Sequence, residues 1–218
     1  MKLLKALAIA LLFGAGLAQA AEGPPPVPEK EYKLINPAQP TDSPGKVEIL
    51  EFFQYTCGHC YDFEPFVKAW KAKKPKDVEW RYVPTVWDEA RIPQAKLYYT
   101  LEAMGLLDQL HDKVYAAIHE KNVRLTERPI LSQWIAAQQG VDAKKFEETY
   151  DSFGVNNKVQ RAAQLTKAYT IRGTPTVIVN GKYTTGPGYA IGPNGTVDNE
   201  RLNQILNGLV AMEQKGKK

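Results

Sequence analysis

The chain is poor in cysteine, with two in 218 residues, and it has only three histidines. That scarcity excludes a disulfide-stapled framework and leaves no second cysteine pair to complete a four-ligand zinc site. After residue 17 no apolar run approaches the roughly 20 residues of a membrane-spanning helix. No charge sign dominates either: 28 Lys and Arg stand against 24 Asp and Glu. Lys2 and Lys5 supply two units of the formal +4, and the small remainder does not indicate a nucleic-acid partner. No repeat of fixed period is present. The Lys215-Gly216-Lys217-Lys218 end reads as a solvated tail. It lacks an endoplasmic-reticulum retention signal, which favours a bacterial periplasm.

What is present is concentrated. Both cysteines lie in Cys57-Gly58-His59-Cys60. That spacing is about one turn of a helix of roughly 3.6 residues per turn, so the sulfurs can join and part again. The apolar run 47–55 ahead of the pair reads as a buried strand, and residues 61–74 behind it have helical periodicity. The pair therefore stands at a helix N-terminus, where free N–H groups and the dipole favour an anion such as a thiolate. A stabilised thiolate is the reactive form of cysteine, and the chemistry expected is thiol–disulfide exchange. A structural disulfide closing so short a loop would be a poor staple. A soft-metal carrier using Cys57, Cys60 and His59 stays open on the residues alone. His111 and His119 lie far along the chain in helical sequence and read as ordinary surface histidines.

The first 20 residues read as a secretory signal peptide: Lys2 and Lys5, an apolar stretch from Leu7 to Leu17, and Ala18-Gln19-Ala20 before the cut. Cleavage of the 218-residue chain after Ala20 would leave 198 residues, enough for one sizeable core. No cysteine follows the cut, so a lipoprotein anchor is not expected. Export to an oxidising compartment suits an exchangeable pair.

Residues 21–45 read as an extended, mobile, proline-rich lead-in and a first strand at 31–35. Residues 46–90 hold the strand 47–55, the helix after the cysteines with Pro65 inside it, and a second central strand at 78–87. Phe63, Phe66 and Trp70 read as the buried side of that helix. Residues 91–168 read as an inserted helical subdomain, with helical spacing over 92–105, 107–121, 126–139, 143–153 and from 157 onward. Gly105 and Gly140 stand where helix ends want a left-handed residue, and Asp142 and Asp198 read as helix caps. Residues 169–218 return to strands at 176–179 and 182–185 around an Asn180-Gly181 turn, then a last helix. The expected class is α/β, a compact sheet with helices on both faces.

The stretches Glu51-Phe52-Phe53 leading to Cys57-Gly58-His59-Cys60-Tyr61, and Arg172-Gly173-Thr174-Pro175-Thr176 running on to Asn180-Gly181-Lys182-Tyr183, resemble the thioredoxin fold. With the helical insertion and the leader, the chain is similar to the DsbA family of periplasmic thiol–disulfide oxidoreductases, over residues 32 to the end. The resemblance implies a thioredoxin-like fold with an inserted helical subdomain. It makes Cys57 the exposed nucleophile, Cys60 the resolving partner and His59 a stabiliser of the Cys57 thiolate. It makes Glu51 a buried acid relaying a proton to or from Cys60, and Pro175 a cis-proline after Thr174, where substrate main chain would pair. It implies no organic cofactor, since the Cys57–Cys60 pair carries the electrons. It implies reduced, unfolded exported proteins as substrates and a quinone-linked membrane oxidase of the DsbB type as partner. Gly58-His59 departs from the Pro-His of the well-known oxidase and matches the disulfide isomerases, so Gly58 is a redox-tuning position. Thr174 stands where the enterobacterial form has valine. Only about 25 residues separate the expected cut from the strand at 47, too few for an isomerase-type dimerisation domain, so a monomeric oxidase is expected.

Overall fold

The computed structural model describes residues 23–216. The signal segment and its cut after Ala20 lie outside the described residues. Strand β2, Val47–Phe53, is buried at every position. It pairs in parallel with β3, Val78–Pro84, and antiparallel with β4, Thr176–Val179. β4 pairs with β5, Tyr183–Thr185, which pairs with the short β1, Lys33–Leu34. The sheet order is β1-β5-β4-β2-β3, so β2 is an inner strand, between β4 and the edge strand β3. A mostly apolar run, interrupted by Glu48 and Glu51, suits a strand covered on both faces. β3 stops at Pro84, which lacks the N–H that a longer ladder would need.

Helix α1, Gly58–Lys73, leaves directly from the end of β2 and carries Pro65 within it. Five helices separate β3 from β4. They are α2, Ile92–Ala103; α3, Leu107–His119; α4, Arg128–Ala136; α5, Ala143–Tyr150; and α6, Phe153–Ala168. The last helix, α7, spans Asn199–Lys215. Two apolar cores result. One packs the insertion against Leu50, Phe52, Phe53 and Ile178; the other packs α1 and α7 against Val47, Ile49, Val177 and Val179.

Local signals set most boundaries. Asp142 and Asp198 accept from Lys145 N and Arg201 N as caps. Gly105 and Gly140 take positive φ at helix ends. At Asn180-Gly181 both residues have positive φ, and a Cβ on Gly181 would lie 2.1 Å from the Gln39 carbonyl oxygen.

Three expectations need correction. The strand read over 78–87 as a second central one is β3, which ends at Pro84 and lies at an edge of the sheet, paired with β2 alone. The chain passes from it into the helical insertion, and among the described residues no strand returns to its far side. The helix read as ending at 153 ends at Tyr150, and Phe153 opens the next one. The reason is Ser152, whose hydroxyl accepts from Val155 N and caps α6. The lead-in is not loose over its described part. Pro26 is buried against Gly208 of α7, where a side chain would collide with its ring. Arg201 donates to the carbonyls of Pro24 and Pro25 and pairs with Glu31. A glycine notch and a fork of donors on α7 hold a segment that composition alone marks as free.

Candidate active site

The end of β2 and the start of α1 bring the two cysteines together. Cys57 is the N-cap of α1, in extended backbone, and Cys60 lies in the first turn. Both are free thiols; Cys57 is half-buried and Cys60 fully buried. The Cys57 thiol is drawn down to about 5. Its hydrogen bond from the Cys60 thiol acts most strongly, against the penalty of burial, with further donation from the Thr174 side chain and the main-chain N–H groups of Cys60 and His59. The two main-chain groups belong to the first turn of α1, and a helix N-terminus favours a thiolate. Burial pushes the Cys60 thiol far up, and the neighbouring Cys57 adds to it. One pair thus contains a thiol that ionises easily and one that holds its proton.

The structure places His59 differently from the simplest expectation. Its side chain is exposed, and it is the main-chain N–H of His59 that bonds the thiolate. Gly58 is exposed beside it, with open space around its Cα. Across from the pair, the Cys57 Sγ lies 3.4 Å from the carbonyl oxygen of Thr174, and the Thr174-Pro175 bond is cis. A solvent-open groove of about 730 Å3 follows this loop, with His59 and Phe63 on one side and Pro187, Tyr189 and Ile191 on the other.

Glu51 is fully buried. It pairs in register with Tyr82 and Val177, so a strand flanks it on each side. Trp80 Nε1 donates to its Oε2 at 3.2 Å, and Oε1 has no protein partner. Burial, and then the charge of Glu64, raise its carboxyl well above the ordinary range.

His111 and His119 are not the ordinary surface residues that their distance in sequence suggested. His111 is buried, with Nδ1 2.8 Å from the Tyr55 hydroxyl. His119 Nε2 bonds the Tyr55 carbonyl at 2.8 Å, and its ring stacks on Tyr61. Gln94 of α2 accepts from the N–H and the hydroxyl of Thr56. The insertion therefore grips the two residues that precede Cys57. Sequence reasoning missed Tyr55 and Gln94 as well. The available signal was the stripe His111, Tyr115, His119 at intervals of four on α3, one face of a helix. Both rings are engaged at Tyr55 rather than turned to the cysteines.

Residues 48–206 match the family described as the DSBA-like thioredoxin domain. The thiol:disulfide interchange protein DsbA of Burkholderia cepacia is 40% identical over 218 residues, covering 99% of each chain. That of Bordetella parapertussis is 44% identical over 186 residues, 85% of this chain and 86% of its own. The crystal structure of Pseudomonas aeruginosa DsbA superposes with a TM-score of 0.77 at 34% identity, covering 88% of this chain and 97% of that one. Likeness of this extent reaches from the cysteine pair to the sheet and the inserted helices, and with it the chain belongs to the DsbA family of thiol:disulfide oxidoreductases, with the family's thioredoxin-like fold.

Proposed function

We propose that Cys57 is the sulfur attacked by substrate and that the chain donates its Cys57–Cys60 disulfide to newly exported, unfolded proteins in the periplasm. The observation that carries this reading is the contrast between the two thiols, one drawn down to about 5 and the other pushed up by burial. A low-pKa thiol is a good leaving group in exchange. A substrate thiolate attacks Cys57 Sγ, the Cys57–Cys60 bond breaks, and Cys60 leaves with the electron pair and takes a proton. A second substrate thiolate then attacks the substrate sulfur of the mixed disulfide, and Cys57 departs as a stable thiolate. The substrate emerges oxidised and the enzyme reduced.

Each neighbouring residue has a part in this scheme. The N–H groups at His59 and Cys60 hold the departing thiolate, and Gly58 tunes the potential. Thr174 and Pro175 receive substrate main chain along the groove, where proline offers no competing N–H. Glu51 serves as the buried acid for Cys60. The pair itself carries the electrons without an organic cofactor, and a quinone-linked membrane oxidase of the DsbB type restores the disulfide. The enzyme acts as a monomer.

Cys60→Ser tests the assignment. The variant should accumulate mixed disulfides between Cys57 and exported proteins, visible as thiol-sensitive bands on non-reducing gels. Absence of such adducts, with Cys57 still reactive to small alkylating agents, would remove the substrate-attacked role.

A further inference from the structure

Donation creates a demand that the exposed parts of the site do not meet. When Cys60 leaves as a thiolate it must gain a proton, yet it is fully buried. Glu64 lies four residues later in α1, one turn on and on the same buried side. Glu64 Oε2 stands 3.6 Å from His111 Nε2, and Glu64 accepts from the Tyr82 hydroxyl at 3.0 Å. His111 is 93% buried by its 7% exposure, and its Nε2 has no hydrogen-bond partner within the protein. The Tyr55 hydroxyl and Nδ1 share a hydrogen bond at 2.8 Å, which turns Nε2 toward Glu64. Between α1, β3 and α3 a solvent-open cavity of about 380 Å3 reaches both Glu64 and His111. Its rim is crossed by the Lys68–Asp112 ion pair. Inward of the pair, the buried hydroxyl of Tyr115 has no protein partner, and after burial it is the charges of Cys60, Glu51 and Glu64 that act on it.

We propose that His111 is a positioning residue for proton delivery: with Glu64 it forms the passage by which the proton taken up by Cys60 enters from the α1–β3–α3 cavity. The proposal rests on the reading that Cys57 is attacked and Cys60 leaves. The step balances. Substrate thiolate and the enzyme disulfide become a mixed disulfide and a Cys60 thiolate, Glu51 gives the proton that makes the Cys60 thiol, and one proton from solvent, passed by way of His111 and Glu64, restores Glu51. Reoxidation of the pair releases that proton along the same path. With His111 the cavity is lined by Glu64, Lys68 and Lys71 on α1, Glu79, Arg81 and Tyr82 on β3, Tyr98 and Glu102 on α2, and Asp108 and Asp112 on α3, and the rings of Tyr55 and Tyr115 lie against His111.

The test is the rate at which the oxidised full-length protein reacts with reduced glutathione, divided by the thiolate concentration at each pH. For the wild type this rate should fall as pH rises and solvent supplies fewer protons to the passage. His111→Gln should be slower by roughly tenfold at acid pH, the low end of what a proton-transferring group contributes, and nearly flat with pH. His111→Ala should recover part of its rate on addition of imidazole, which the cavity can admit. Tyr55→Phe, which keeps the ring but frees its orientation, should flatten the profile in part, and it carries the test if the His111 variants do not fold. A wild-type pH profile in His111→Gln, or an equal slowing at every pH with no response of His111→Ala to imidazole, would overturn the proposal. Trapping by Cys60→Ser reports separately on the underlying role of Cys57.

Discussion

The carbonyl of Tyr55, two residues before Cys57, accepts a hydrogen bond from Nε2 of His119 at 2.8 Å. This bond ties the last residue of α3 to the loop that presents the nucleophile. His119→Ala should leave that carbonyl unpaired at a cost of about 1–3 kcal/mol, a fall of several degrees in melting temperature at roughly 2–4 °C per kcal/mol. His119→Gln, which keeps a donor, should recover much of it. Thermal melts of the two variants decide the matter; equal melting of His119→Ala and wild type would show that the bond contributes nothing.

The depressed thiol of Cys57 makes the stability of the reduced enzyme depend on pH. A group whose folded pKa lies below its unfolded value stabilises the fold in full above the unfolded value, about 8.5 for cysteine. That contribution is lost as pH falls through about 5. The reduced protein should therefore melt above the oxidised protein at neutral pH, and the margin should close below pH ~4. Thiolate absorbance in the ultraviolet should titrate over the same range. A margin independent of pH would contradict the origin assigned to it.

Glu51 should behave in the opposite sense. Its raised carboxyl penalises the fold once pH exceeds the unfolded value of about 4.3, because the buried group resists ionisation. Glu51→Gln should accordingly melt higher than wild type at neutral pH and gain little in acid. The same change should slow exchange by roughly tenfold or more if Glu51 transfers a proton. A variant that is stabilised yet exchanges at the wild-type rate would leave Glu51 outside the chemistry.

Gly181 provides a test of the fold. Its φ of +68° and the Gln39 carbonyl oxygen, 2.1 Å from where a Cβ would stand, both oppose a side chain. Gly181→Ala should cost about 1–3 kcal/mol, read by denaturant unfolding, with the exchange rate of the folded fraction unchanged. A loss below a few tenths would mean that the Asn36–Gln39 segment yields freely.

The sheet and the pair were legible because their signals are local. The run of Val47 to Phe53 announces a covered strand, Asn180-Gly181 announces a turn, and the spacing of Cys57 and Cys60 announces exchange. The burial of Glu51 followed from the apolar company of Leu50, Phe52 and Phe53. What stayed hidden depends on contacts between residues far apart in sequence. The Tyr55–His111 bond spans 56 positions and the Tyr55–His119 bond 64. No periodicity within α3 tells which element its histidines face. The docking of Pro26 on Gly208 was hidden for the same reason. A glycine inside a helix reads as a weak spot until the segment that fills its notch is known. The Ser152 cap is a local signal, masked in the sequence by the apolar Phe153, which continues the preceding pattern and yet is 81% exposed.

The central claim, that this chain gives its disulfide away, is tested most directly by the equilibrium of Cys57–Cys60 against a glutathione series. A potential near about −120 mV, the value of a well-known oxidant of the same family, is the result predicted for a donor. A potential near about −270 mV, the range of thioredoxin, would make the reduced pair an electron donor and contradict the assignment.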